Sequence, residues 1–474
     1  MTSNSLYFIK KGRYLMYKIN FKQPVHVHFI GIGGISMSGL AEILLKEDFR
    51  ISGSDNKESA LTEHLSSLGA TIFIGQKASN IISGIDVVVY TAAIHDDNEE
   101  YQEAVNQGLP MLSRAELLGQ LMTNYRTSVA VAGTHGKTTT TSMLSHILLA
   151  GEKDPTISVG GILKAIGGNI RVGGPEVFVT EACEYTNSFL HFFPNIGIIL
   201  NIDADHLDFF KDLNDIRRSF HKFAKLLPKA GALIINGEIP NLSEITEGLD
   251  CQIITYGTEA SFDYCAAKIS HDELGEASFD LVRHGQVIDR ISLSVSGDHN
   301  VSNALAAIVA ADLLKVSLPA IKKGLKEFCG TNRRFEYKGE IQGITIIDDY
   351  AHHPTEINAS LTAARNYPHK EIWCIFQPHT YTRTKLLFSE FVDALANTDH
   401  IILADIYAAR ETDTLGISSK AIAEELNKRG CDAYYFPTFS EIQNFCMENC
   451  QKGDLLITMG AGDVVNIGEN LLKC

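Results

Sequence analysis

The chain has 474 residues, 45% of them hydrophobic, and a formal net charge of −16. That length is roughly three times a ~150-residue domain, so two or three domains are expected, each with its own core. The acidic balance argues against a sequence-independent nucleic-acid binder, which needs basic surface to displace counterions, and no apolar run approaches the ~18 residues of a membrane span.

Residues 1–15 are basic and polar with no apolar stretch of a secretory signal, so they read as a disordered tail or an artefact of start-site choice ahead of Met16. The first unit, 16–124, opens with the strand-like Val25–Ile30, then Gly31, Gly33 and Gly34, a helical pattern from Leu40 to Lys46, and a second strand ending in Asp55. This is the grammar of a Rossmann-like half: the glycines admit a diphosphate at a helix N-terminus, and the acid lies near a ribose. Ser36 stands where the dinucleotide fingerprint has its third glycine, which disfavours a nicotinamide dehydrogenase.

The second unit, 125–330, begins with the apolar run Val129–Ala132 and the loop Gly133-Thr134-His135-Gly136-Lys137-Thr138-Thr139. A strand feeding such a loop and a helix wraps phosphate oxygens with backbone N–H groups. Lys137 can neutralise charge on the terminal phosphates and the Thr138 hydroxyl can hold Mg²⁺, so ATP is the expected ligand. Val131 replaces the first glycine of the standard eight-residue pattern, leaving the shorter Gly-x-x-Gly-Lys-Thr. Further apolar runs at Val177–Thr180, Ile196–Leu200, Ala232–Ile235 and Ile253–Tyr256 alternate with helical patterns and predict a mainly parallel sheet covered on both faces. Glu181 and His206 follow two of these runs, so Thr138, Glu181 and His206 are candidates to converge on metal bound to ATP. A histidine in that set hints at tolerance for Mn²⁺. Asn300 and Asn303 fall on the first turn of an apolar helix, free to bond a base or ribose or simply to cap it.

The third unit, 331–474, repeats the alternation with strands at Ile344–Ile347, Ile372–Phe376, Ile401–Ala404 and Leu455–Thr458. Asp348-Asp349-Tyr350-Ala-His352-His353 packs four ionisable groups into one strand end, a density typical of functional sites. Arg383 and Lys385 follow another strand, where a carboxylate can be gripped. The nine cysteines form no Cys-x-x-Cys pair, and Cys446 and Cys450 share a helix-face spacing without a second ligand pair. Free thiols in a reducing compartment, the cytoplasm, are expected.

Taken together, Gly133-Thr-His-Gly-Lys-Thr-Thr, the Glu181 and His206 segments, Gly297-Asp-His-Asn-Val-Ser-Asn, Arg333-Arg-Phe-Glu and Asp348-Asp-Tyr-Ala-His-His-Pro-Thr-Glu resemble the Mur ligases of peptidoglycan synthesis. The opening Gly31–Gly39, Gln377-Pro-His-Thr-Tyr-Thr-Arg-Thr and Asp405-Ile-Tyr-Ala-Ala-Arg-Glu411 narrow the resemblance to members that join L-alanine to UDP-N-acetylmuramate; it spans about residues 22–470 in order. The alternative within the family is the recycling member that attaches an intact tripeptide to the same sugar nucleotide. The resemblance implies an α/β protein of three domains: a Rossmann-like UDP-sugar domain, a central parallel-sheet phosphate-loop ATPase domain, and a Rossmann-like C-terminal domain that closes over the amino acid. It implies a monomer or homodimer with ATP, UDP-N-acetylmuramate and L-alanine as substrates, Mg²⁺ as metal, and neither nucleic acid nor membrane as partner. By position, residues 133–139 wrap the ATP phosphates, Thr138 binds one Mg²⁺, and Glu181 and His206 bind a second. Asn300 and Asn303 lie beside adenine, Asp349 on the ribose, and Arg334 on the phosphates. His352 orients or deprotonates the amine. Two departures stand out: Glu181-Ala-Cys-Glu184 replaces a more acidic version, and Thr380 stands where many members have arginine, so amino-acid binding rests on Arg383.

Overall fold

The computed structural model describes residues 9–11, 14–409, 411–413 and 415–473. Arg410 of the Asp405–Glu411 segment lies outside them, as do residues 1–8, 12, 13, 414 and 474. Ile9–Lys11 pairs antiparallel with Tyr14–Met16, so part of the 1–15 stretch carries an element where none is expected.

Three larger sheets follow one another along the chain. The first has five parallel strands in the order Thr71–Ile74, Arg50–Asp55, His26–Ile30, Val87–Tyr90, Met111–Ser113. Strand order reverses at His26–Ile30, whose C-terminal end therefore opens on the crevice where such sheets take ligands. Gly31, at φ +84, turns the chain from that strand toward the helix Ile35–Lys46.

The second sheet has ten strands, with Thr127–Ala132 in its parallel centre between Val177–Ala182 and Ile196–Ile199. Its side chains alternate faces, as a strand requires. Val129 and Val131 pack with Met143, Leu144 and Ile147 of the helix Lys137–Ala150 and with the apolar helix Asp298–Leu313. Ala130 and Ala132 face the other way, in a core shared with Leu117, Leu118 and Leu121 of the first unit and with Phe220 and Phe223. Each large apolar side chain so buried contributes roughly 1.5–3 kcal/mol, which is why this strand reads as a continuous apolar run. The join to the first unit is close: a Cβ at Gly119 would run into the His191 carbonyl.

The expected apolar runs coincide with observed strands, Val25, Leu200 and Ala404 falling one residue outside them, but Tyr264–His271, Glu276–Arg283 and Gln286–Ser296 form an antiparallel extension that the runs do not announce. Those strands alternate polar with apolar residues and bury mainly one face. The third sheet orders its strands Glu336–Ile341, Ile344–Asp349, Leu455–Met459, Ile372–Phe376, His400–Leu403, Asp432–Tyr435, all parallel except the first. Asp349 and Phe376 both pair with Met459, so the turns after their strands leave one edge. That edge faces the phosphate loop.

Candidate active site

Ala182 and Ile199 both pair with Ala132, which brings the phosphate loop, the turn after Glu181 and the segment 201–206 to one edge of the central sheet. Gly136 adopts φ +80 at the helix N-terminus, and a Cβ there would lie 2.6 Å from Asn303 Oδ1. Only glycine permits both the conformation and the approach. The Lys137 ammonium donates to the carbonyls of Gly133 (2.5 Å) and Thr134 (2.9 Å) and to Glu184 (3.1 Å). Burial opposes its charge, yet the Glu184 carboxylate holds the Lys137 pKa above its ordinary value. Glu184, whose role the sequence leaves open, is thus a buried counter-ion to the loop lysine, 2% exposed.

Thr138 Oγ1 donates to Glu181 Oε2 at 3.1 Å, while Glu181 Oε1 accepts from the Gly160 N–H. Burial raises the Glu181 carboxyl pKa against the pull of those donors and of Lys137. His206, at φ +53, lays its ring on Tyr185 with centroids 4.6 Å apart, and its Nε2 is 3.8 Å from Asp205. Thr138 and Glu181 therefore touch, whereas His206 meets Tyr185 and Asp205 on the same edge. No group of three or more His, Cys, Asp or Glu side chains among the described residues is spaced for a metal.

A cavity of about 390 Å³ lies between the central and third sheets, lined by His135, Thr139, Asn300, Asn303, Arg334 and Asp349 among others. Asn303 donates to Asn300 Oδ1 (3.1 Å) and accepts from Thr140, and Asn300 donates to the Ser296 carbonyl (2.7 Å), so Asn303 braces the helix that follows the phosphate loop, Asn300 braces Asn303, and both line the cavity. Asp349 accepts from the N–H groups of Phe335 and Ala351 and from Ser360 Oγ; burial pushes its pKa up to about 6 against the field of Arg334. Arg333 is tied to Asp348 and to the carbonyls of Gly460 and Gly462, whereas Arg334 lines the cavity, with its guanidinium 5.2 Å from the centroid of Tyr350.

One carboxylate joins the two sides. Glu356, in the first turn of the helix Pro354–Asn366, places Oε1 3.2 Å from His135 Nδ1 and 3.7 Å from Arg334, and Oε2 3.3 Å from His352 Nδ1. His135 meets Asp203 with its other nitrogen at 3.2 Å. Burial pulls the His135 pKa down, but the two carboxylates prevail and hold it at about 9, so the ring is cationic at neutral pH. Burial lowers the His352 pKa to about 4 despite Glu356. With the Tyr350 carbonyl 3.0 Å from Nδ1 as well, the neutral ring carries its hydrogen there and leaves Nε2 as an acceptor.

A second cavity, about 220 Å³, is lined by Tyr185, Asp205, His206, His379, Thr380 and Arg383 among others. The Arg383 guanidinium is not an open fork: Nε and Nη2 donate to Asp205 Oδ1 (3.3 and 3.0 Å), and Nη1 meets His379 Nδ1 at 3.0 Å. One N–H remains on each terminal nitrogen, the pair that a second carboxylate needs. The ring of His352 sits 5.7 Å from that of His379, joining the two cavities, whereas Asp349 lies on the nucleotide side. Lys385 is exposed and donates to the Leu415 carbonyl instead of the cavity.

In the first unit the Gly33 N–H donates to Asp55 Oδ2 at 2.8 Å, so Asp55 shapes the glycine turn itself. A Cβ at Gly33 would lie 2.8 Å from that oxygen, while Gly34 is less confined. The guanidinium of Arg114, unremarked in the sequence, donates to Ser36 Oγ at 3.2 Å beside the turn. Burial lowers its pKa, with Cys183 of the central unit opposing, and no carboxylate pairs with it among the described residues. Arg114, Glu184, Asp205 and Glu356 act through partners far away in sequence, and no local spacing marks them.

Residues 26–126 match the Mur ligase family catalytic domain, 131–311 the Mur ligase middle domain, and 333–462 the Mur ligase glutamate ligase domain. The UDP-N-acetylmuramate–L-alanine ligase of Agathobacter rectalis is 60% identical over 458 residues, covering 97% of this chain and 100% of that protein. The ligase of the same name from Lachnospira eligens is 58% identical, with 97% and 100% covered. Among solved structures, the UDP-N-acetylmuramate–alanine ligase of Thermotoga maritima superposes with a TM-score of 0.77 at 30% identity, covering 95% of this chain and 98% of that one. A murein peptide ligase from Psychrobacter arcticus gives 0.68 at 26% identity, with 95% and 98% covered.

Proposed function

This chain belongs to the Mur ligase family, and from that premise we propose that it joins L-alanine to the muramyl carboxylate of UDP-N-acetylmuramate, driven by ATP, in the cytoplasmic synthesis of peptidoglycan precursors. The observation that carries the reading is the single Glu356 carboxylate linking the phosphate loop, Arg334 and His352 between two adjoining cavities, one sized for a nucleotide and one for a small amino acid. We take the working division of the chain as 16–124 for the UDP-sugar, 125–330 for ATP and 331–474 for closure over the amino acid.

A carboxylate is a poor acyl donor, so it first attacks the γ-phosphorus and becomes an acyl phosphate, releasing ADP. The alanine amine then attacks the acyl carbon and phosphate leaves. Lys137 and Arg334 offset the charge on the transferring group. The N–H groups of residues 133–139 cradle the phosphates, Asn300 and Asn303 border the adenine, and Asp349 lies toward the ribose. The touching oxygens of Thr138 and Glu181 suit a hard cation and fit Mg²⁺, with His206 at the same edge as a further ligand. Bound there, Mg²⁺ supplies positive charge to the phosphate oxygens. The two remaining N–H groups of Arg383 hold the alanine carboxylate. His352, with a pKa near 4, accepts a hydrogen bond from the amine and aims it more readily than it carries the proton away. Arg114 and the turn at Gly31, Gly33 and Gly34 hold the sugar nucleotide's diphosphate, with Asp55 fixing the turn.

Substrate carrying ¹⁸O in the muramyl carboxylate tests this chemistry. One label should appear in released phosphate and one should stay in an amide heavier by one alanine residue. Unlabelled phosphate alongside labelled product would exclude the acyl phosphate.

A further inference from the structure

Glu356 has a bland description, an acid in the first turn of a helix where the dipole favours negative charge. Its contacts exceed that description. Its partner His135 lies 221 positions away on the phosphate loop, and the carboxylate is only 12% exposed. One oxygen takes His135 and faces Arg334, while the other takes the ring and the backbone N–H of His352 (3.1 Å). The groups gathered here come from both ends of the reaction. His135 and Arg334 stand beside the nucleotide cavity, and His352 stands next to His379 at the edge of the amino-acid cavity.

We propose that Glu356 is a positioning residue that couples the two half-sites: by clasping His135, it sets Arg334 and His352 in place only when the third domain is seated on the phosphate loop. Glutamate suits the task because an ionised carboxylate offers about four acceptor positions, enough for every donor here, and a buried charge held by several partners specifies one arrangement over looser ones. Aspartate at this position, shorter by one methylene, would not span the same partners. The consequence for the reaction is order. A docked loop and an aimed amine arise together, so the acyl phosphate forms where its acceptor is already oriented and water is excluded.

The proposal rests on the ligase reading above, and the two fail differently: without that reading wild-type protein shows no alanine-dependent turnover, whereas failure of the clasp appears only in variants. The test is a double-mutant cycle on the full chain, His135→Asn and Glu356→Gln singly and together, with kcat and each KM measured. Each single change should lower kcat at least tenfold and leave the KM for UDP-N-acetylmuramate within threefold. The double variant should lie within threefold of the worse single, because the same link cannot be broken twice. Losses that multiply, or a kcat within threefold of wild type in Glu356→Gln, overturn the proposal. If Glu356→Gln does not fold, His135→Asn alone decides through the KM for L-alanine, whose cavity His135 does not line. A rise of fivefold or more upholds the coupling and an unchanged value refutes it.

Discussion

Replacing Lys137 by alanine should have two separable consequences. The ammonium sits 3.1 Å from a Glu184 carboxylate that is 2% exposed. Breaking a buried pair by deleting one partner costs about 3–5 kcal/mol. Glu184 can relieve part of this by taking up a proton, so a loss near the lower bound, about 3 kcal/mol, is expected. For a domain of about 200 residues that corresponds to a fall in melting temperature of roughly 6–12 °C. Turnover should drop below about 1% of wild type, because the charge facing the transferring phosphoryl group is gone. Adding Glu184→Gln removes the orphaned charge and should restore at least half of the lost melting temperature, with no return of activity. Scanning calorimetry without nucleotide and a coupled phosphate assay read the two effects. A wild-type melting temperature in Lys137→Ala, or no recovery in the double variant, would refute the counter-ion role of Glu184. Activity above about a tenth of wild type would refute the placement of Lys137 on the phosphates.

Arg383→Lys should raise the KM for L-alanine at least tenfold with the KM for ATP within threefold, since lysine keeps the charge but lacks the planar fork shared with Asp205; steady-state kinetics decide. Glu181→Gln should weaken Mn²⁺ binding to the ATP complex several-fold by paramagnetic resonance, and an unchanged affinity would make Glu181 structural. Arg114→Met should weaken UDP-N-acetylmuramate binding at least tenfold by calorimetry on the full chain, because the half-buried guanidinium has no carboxylate partner among the described residues, and wild-type protein should bind no NAD. His135 has a folded pKa of about 9, above its ordinary 6.5. Its stabilising contribution is therefore complete below pH 6.5 and is lost as the pH rises through 9, at most about 3 kcal/mol. His135→Asn should flatten the stability profile across that window.

The sequence is most legible where chemistry demands a local pattern. The turn Gly133–Lys137 reads directly because glycine, lysine and threonine must stand within a few residues of one another, and Gly136 proves to need both its φ of +80 and its missing Cβ. Buried parallel strands such as Ile372–Phe376 also read directly, because both faces are covered and the whole run is apolar. The antiparallel strands from Tyr264 to Ser296 escape that signal because polar residues interrupt them. Ionic partners are the least legible. Arg383 stands out as a carboxylate clamp, but two of its five N–H groups serve Asp205, 178 positions earlier. Lys385 looks equivalent in sequence, yet the helix Tyr381–Leu386 turns it away. Asp55 resembles a ribose acid, and the structure gives it a backbone N–H of the glycine turn 22 positions earlier.

The most direct test of the account is ATP-dependent phosphate release with UDP-N-acetylmuramate, comparing L-alanine, other amino acids and the tripeptide at equal concentration. L-alanine should support turnover at least a hundredfold better than the tripeptide, whose terminal carboxylate lies about 7 Å further from its amine in an extended chain, beyond what one fixed guanidinium can serve. Preference for the tripeptide, or phosphate release indifferent to the acceptor, would contradict it.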